Sequence, residues 1–256
     1  KKGISGSTLK MIAIVTMLID HIGAAVLARL LMVNGLGELD QTSTDAIMQW
    51  LSANGALYGT YTVMRMIGRV AFPIFCFLLV EGFLHTHDVK KYAMRLGLFA
   101  LLSEIPFDLA FSSKILEFNY QNVFFTLFIG LLTMIAYRAV EEKEEWGQAW
   151  KVILYILIVA AGMALAYFLK TDYAEKGVFC IMVLYIFRKK KMWQLIAGCA
   201  SFIWETPALF GFIPIAFYNG TRGWKMKYFF YVFYPAHLLL LYLLCYFMGI
   251  SGYSAV

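Results

Sequence analysis

Between Leu9 and Ile250 the sequence is a succession of apolar runs separated by short charged turns. The first run, "LKMIAIVTMLIDHIGAAVLARLLMV" from Leu9 to Val33, is long enough to cross a bilayer. This pattern constrains the fold more than any other feature. The chain is 61% hydrophobic and 15% charged, whereas an ordinary soluble domain is about a quarter charged. Runs of about 20 apolar residues have the length of a membrane helix, and a helix satisfies its own backbone polar groups in lipid. The expected fold is therefore all-α, a polytopic transmembrane helical bundle of about nine helices (eight to ten), making one domain over residues 1–256.

The expected helices cover 9–33, 61–85, 91–111, 121–138, 150–169, 173–187, 192–204, 207–218 and 228–250. The sixth to eighth are shorter than a full crossing, so tilted, re-entrant or broken elements are expected there. The segment from Asn34 to Thr60 is expected to carry at most a short amphipathic helix around Ile47 to Leu51, lying on the membrane surface. Lys1 to Leu9 is too short for a cleavable leader, so the first run is expected to stay as an anchor.

Basic residues fall in alternate connections: Lys1, Lys2 and Lys10, Lys90 and Lys91, Arg138, Lys143 and Lys151, Arg188 to Lys191, then Arg222, Lys225 and Lys227. The other connections hold only Lys114, Lys170 and Lys176. By the positive-inside rule the N-terminus is expected in the cytoplasm. The net charge of +6 is accounted for by these turns and by anionic lipid, so nucleic acid is not an expected partner. Cys76, Cys180, Cys199 and Cys245 all sit inside apolar runs without a CxxC spacing, which argues against disulfides and a zinc site.

Ionisable residues inside a spanning helix are costly and face a partner, water or a site. Lys10 and His21 are eleven positions apart, close to three helical turns at about 100° per residue, so they share a face. His237, nine residues past Tyr228, lies about 14 Å into the last helix and reaches a similar depth. Either histidine is suited to general-base chemistry. Asp20 is about 100° away from His21 around the helix and is expected to support the wall beside it. Arg65 and Arg69 match Glu104 and Asp108 in depth, which predicts an ion-pair cluster between the second and third helices, or an arginine free to bind an anion. No metal-ligand set emerges.

The segments "LKMIAIVTMLIDHIGA", "RMIGRVAFPIFCFLLVEGFLHT", "KYAMRLGLFALLSEIPFDLAF", "QNVFFTL", "DYAEKGV", "YNGTRG" and "FYVFYPAHLLLLY" occur in an order that resembles the TraX family, named for the F-pilin acetylase. The resemblance runs from Leu9 to about Tyr242 and implies an integral membrane acetyltransferase of the bacterial cytoplasmic membrane. Its acyl donor would be acetyl-CoA and its acceptor an unidentified amine or hydroxyl. A distant relationship to acyltransferase family 3 and to heparan-α-glucosaminide N-acetyltransferase is also implied. Family 3 carries an arginine eleven positions before a histidine, where this chain has Lys10 and His21. On this reading His21, His237 and Asp20 are the catalytic candidates, and Lys10, Asn219, Arg222 and Tyr234 the coenzyme A contacts. Gln121 and Asn122 join Arg65, Arg69, Glu104 and Asp108 as a substrate or structural cluster. The glycines of "YNGTRG" offer backbone that could approach a phosphate. The alternative is a proton-coupled transporter or lipid flippase using the intramembrane charges as a relay.

Overall fold

The computed structural model describes residues 2–225 and 227–253 of the chain; residues 1, 226 and 254–256 of the expected single domain lie outside them. Nine helical stretches follow one another among the described residues. The first consists of α1 (Gly6–Ile22), a π-helical segment (Gly23–Leu27) and α2 (Ala28–Val33). The second is α3 (Thr44–Gly68) followed by α4 (Ala71–His85). Then come α5 (Val89–Ser112), α6 (Val123–Glu141), α7 (Gln148–Phe168), α8 (Ala174–Ile186) and α9 (Lys191–Ser201). A 3-10 turn (Thr206–Gly211) leads into α10 (Phe212–Ala216), and α11 (Lys227–Phe247) ends the bundle. Five stretches, at Gly6–Val33, Thr44–His85, Val123–Glu141, Gln148–Phe168 and Phe229–Phe247, are long and apolar enough to cross a membrane. The protein is a membrane protein built as a helical bundle.

Local chemistry sets the boundaries. Ser5, Ser43, Asp88 and Asn122 each precede a helix and accept a hydrogen bond from an amide of its first turn, which satisfies a donor that the helix itself leaves orphaned. Gly35 (φ +79°) turns the chain after the first stretch, a left-handed conformation that glycine adopts without steric cost.

The largest departure from the sequence reading is the second stretch. It starts at Thr44 and runs 42 residues to His85, so Ile47–Leu51 belongs to a long helix and does not lie on the surface as a short one. Trp50 Nε1 donates to the Asn34 carbonyl at 2.7 Å, and Gly68 abuts Asp20. These two contacts fix α3 as the antiparallel partner of the first stretch along its length. Weak periodicity failed there because only one narrow side of α3 is covered; most of its residues are exposed, to the environment that lipid provides.

Of the three short elements expected to be tilted, re-entrant or broken, α9 and α10 fold back on each other. Lys191 Nζ donates to the Tyr218 carbonyl at 2.9 Å, so α9 begins and α10 ends at the same basic end of the bundle. Between them Phe202 packs edge-on to Phe72, Trp204 packs on Tyr173, and Glu205 lies 3.6 Å from Arg69. The two segments form a hairpin whose tip reaches the middle of the bundle. A cysteine placed at exposed Gln41, in the turn between the first two stretches, is expected to react with impermeant maleimide only from the side opposite the basic loops. Labelling of Gln41→Cys from the basic side would reverse the orientation drawn from the positive-inside rule.

Candidate active site at the histidine pair

The first and last helical stretches lie side by side and bring His21 and His237 into contact. His21 Nδ1 and His237 Nε2 are 2.7 Å apart, and the rings are nearly parallel. His237 Nδ1 is 2.7 Å from the Phe233 carbonyl. A carbonyl only accepts, so His237 Nδ1 carries the hydrogen, and neutral His237 presents a lone pair at Nε2. His21 Nδ1 is then the donor of the shared bond, and His21 Nε2 is left with a lone pair. The pair thereby sets the tautomer of His21 through a bond chain ending on the helix backbone.

His21 lines a cavity of about 100 Å³ that His237 does not reach. The other polar groups in its wall are Asp20, Tyr61, Arg65, Arg69, Tyr120, Asp172 and Tyr173, and aromatic rings including Phe72, Phe107 and Phe111 complete it. Arg65 Nη1 is bonded to Asp20 Oδ2 at 2.7 Å, while Asp20 Oδ1 has no partner among the described residues. Tyr120 donates to Asp172 Oδ1 at 2.8 Å. Burial in this wall pushes the Asp172 carboxyl up from its ordinary value, against the Tyr120 hydrogen bond and the charges of Arg69 and Arg65. With two guanidinium groups facing two carboxylates, the cavity is polar and electrically balanced.

The loop that carries Asp172 is strained. Lys170, Tyr173 and Ala174 all have positive φ (53°, 63° and 41°), costly for residues with a Cβ and tolerated where surroundings impose it. Gln121 supplies part of that imposition: its amide donates to the Lys170 carbonyl and its carbonyl accepts from the Asp172 amide. Thr126 Oγ1 donates to the Asp172 carbonyl, and the Tyr173 ring stacks on Phe72 at 3.7 Å. The "QNVFFTL" and "DYAEKGV" segments thus meet to hold one wall.

The predicted cluster of Arg65, Arg69, Glu104 and Asp108 does not form. Helix α5 packs between α6 and α11 and away from α3, so matched depth did not bring the charges together. Arg65 pairs with Asp20, and Arg69 faces Glu205 and Tyr173. Glu104 accepts from the amide and side chain of Asn122, and Asp108 accepts from the Glu117 amide. Gln121 Nε2 donates to the Glu117 carbonyl and Asn122 caps α6, so these four brace the wall from behind.

Lys10 lies on the α11 side of its helix as expected, its Nζ 5.1 Å from the Phe230 ring centre. Tyr234 is buried, with its ring edge-on to both histidines; it packs behind the pair and is not placed to touch a nucleotide. The "YNGTRG" loop is a latch on the start of α1. Gly6 and Ser7 amides donate to the Thr221 and Arg222 carbonyls, and the Asn219 amide donates to the Ile4 carbonyl. Asn219 Oδ1 accepts from the Thr221 amide and hydroxyl. The exposed side chains of Arg222 and Lys225 stand at the surface of this end.

Sequence reasoning passed over Tyr120, Asp172 and Tyr173, which belong to turns, and Arg29, which stands in the first apolar run. Gly68 was also missed, although its role is steric. A Cβ there would stand 2.1 Å from the Asp20 Cβ and 2.3 Å from its carboxyl carbon, so the two helices touch only because this position has no side chain. Gly68→Ala is expected to push Asp20 off Arg65 and to destabilise the protein by about 1–3 kcal/mol, read as a lower thermal midpoint in detergent. An unchanged midpoint would mean that the contact is looser than its geometry.

Comparison with known proteins places the chain among relatives. The profile of a family described as TraX protein matches residues 5–245. A probable fimbrial assembly protein FimC, serogroup H1, of Dichelobacter nodosus is 26% identical over 215 residues, covering 71% of this chain and 82% of its own. No solved structure matches.

Proposed function

The chain belongs to the TraX family, and from that membership and the geometry of the histidine pair we propose that it is a membrane acetyltransferase. It moves an acetyl group from acetyl-CoA to an amine or hydroxyl acceptor. The observation that carries this reading is the bond from His21 Nδ1 to His237 Nε2 at 2.7 Å, which leaves His21 Nε2 as a base beside a polar cavity.

The acceptor's nitrogen or oxygen gives its proton to His21 Nε2 and attacks the thioester carbonyl carbon. The new bond to carbon forms, the carbon–sulfur bond breaks, and the coenzyme A thiolate takes the proton back from His21. His237 accepts from His21 Nδ1 throughout and holds the imidazolium that forms in between. Arg65 and Arg69 share the cavity wall with His21 and are the groups available to stabilise charge developing on the carbonyl oxygen. The cavity beside His21 holds the acetyl group and the attacking atom. The coenzyme A body lies toward the basic end, where Lys10, Arg222 and Lys225 offer cations to its phosphates. A fimbrial subunit as acceptor accords with the assembly role named for the Dichelobacter relative.

The test is transfer by the purified chain in proteoliposomes with labelled acetyl-CoA. Saturable binding, and release of free coenzyme A thiol when an amine or hydroxyl acceptor is supplied, are the expected results. A folded protein that binds no acetyl-CoA would overturn the proposal.

A further inference from the structure

The re-entrant hairpin leaves a groove between its arms that the active site does not use. It measures about 580 Å³, every residue lining it is apolar, and it lies open at the surface of the bundle. Leu195, Ile196 and Cys199 of α9 form one side, with Ile203 just beyond its end, and Leu209 and Ile213 form the other. Helix α9 has 11 residues, a rise of about 16 Å. That equals about half the roughly 30 Å hydrocarbon thickness, so the groove runs the depth of one leaflet, from the basic end to the middle of the bundle.

Charge at the mouth identifies the occupant. Lys189, Lys190 and Lys191 are consecutive and exposed where α9 begins, and Lys191 and Met192 precede Leu195 and Ile196 by one turn on the same face. Exposed Trp193 and Phe217 flank this mouth, one on each arm, as aromatic side chains do at the headgroup level of a membrane. A soluble anion would find the lysines without needing an apolar groove, and a neutral lipid would fill the groove without needing the lysines. We propose that the hairpin is a binding site for one anionic phospholipid, its headgroup phosphate on the Lys189–Lys191 cluster and one acyl chain lying between α9 and α10.

Cys199 makes the site measurable. It lines the groove and is partly accessible, whereas Cys76, Cys180 and Cys245 are buried. In delipidated full-length protein in detergent, phosphatidylglycerol is expected to slow maleimide labelling of Cys199 at a lipid concentration at least about tenfold below that needed with phosphatidylcholine. This rests on roughly fivefold per engaged lysine. Native mass spectrometry should show the matching retained phosphatidylglycerol adduct. The surface variant Lys189→Gln/Lys190→Gln should abolish the preference, and Ala200→Trp, which fills the groove, should remove the adduct while both lysines remain. Inorganic phosphate should not protect Cys199. Equal protection by the two lipids, protection by phosphate alone, or a preference that survives the double lysine variant would overturn the proposal.

Discussion

His21→Ala protein, folded and inserted, is expected to lose acetyl transfer by about 10²–10⁴-fold, the usual contribution of a positioned general base. His237→Ala should cost less, because it removes the partner that fixes the His21 tautomer while leaving the base in place. His237→Gln should recover part of that loss, since a glutamine carbonyl can accept from His21 Nδ1 as His237 Nε2 does at 2.7 Å. The measurement is release of coenzyme A from acetyl-CoA in proteoliposomes, with each variant's amount and thermal midpoint matched to the parent. Wild-type turnover by His21→Ala would remove it as the base. Equal losses in His237→Ala and His237→Gln would show that His237 acts through more than accepting this one hydrogen bond.

Arg29→Met should lower stability by about 3 kcal/mol or more, the sum of several buried acceptors left without partners at about 1–3 kcal/mol each. The Arg29 side chain is fully buried. Its Nη1 donates to the carbonyls of Ala25 at 2.8 Å and Ala110 at 2.5 Å. Nε donates to the Tyr253 carbonyl, and Nη2 donates to Ser113 Oγ at 2.9 Å. Ser113 in turn donates to the Ser251 carbonyl at 2.5 Å. One guanidinium therefore ties the first stretch to the end of α5 and to the segment that follows α11, at the pole opposite the basic loops. Of these acceptors the Ala110 carbonyl belongs to the last turn of α5, where carbonyls have no partner within the helix. A lysine has three donors on one atom and cannot span acceptors on three elements, so Arg29→Lys should recover only a minor part of the loss. A thermal midpoint unchanged in Arg29→Met would mean that lipid headgroups or water satisfy these carbonyls in its place.

The histidine pair was legible because helical spacing is a property of one chain segment at a time. Lys10 and His21 share a face for purely local reasons, and the depth of His237 follows from counting along α11; the structure adds that the two helices are neighbours. Where the reading depended on which helices touch, it failed. Arg65 was matched by depth with Glu104, yet its partner is Asp20 on the helix actually packed against α3. Asp20 itself sits in plain view beside His21 but is directed by the 100° step of the helix toward Gly68 and Arg65. The wall built from Tyr120, Asp172 and Tyr173 could not be read, because turns carry no periodicity and the strained Lys170–Ala174 backbone depends on hydrogen bonds from Gln121 and Thr126, some 50 residues away. Arg29 had a usable signal, a lone arginine in an apolar run, but its donors serve carbonyls whose positions no local pattern reveals.

Apolar run length determined by itself that this protein is a bundle of membrane helices, since a run of that composition must satisfy its backbone internally. Periodicity determined that a lysine and a histidine look the same way from the first of them. Only the tertiary structure decided that the second histidine meets the first, which of the two keeps a free lone pair in the cavity, and which acid neutralises Arg65. Those outcomes depend on neighbours, and in a membrane the neighbours are chosen by close packing, as at Gly68 against Asp20, and by polar pairing, as at Arg29. Hydrophobicity alone cannot choose among helices that are all equally apolar to lipid.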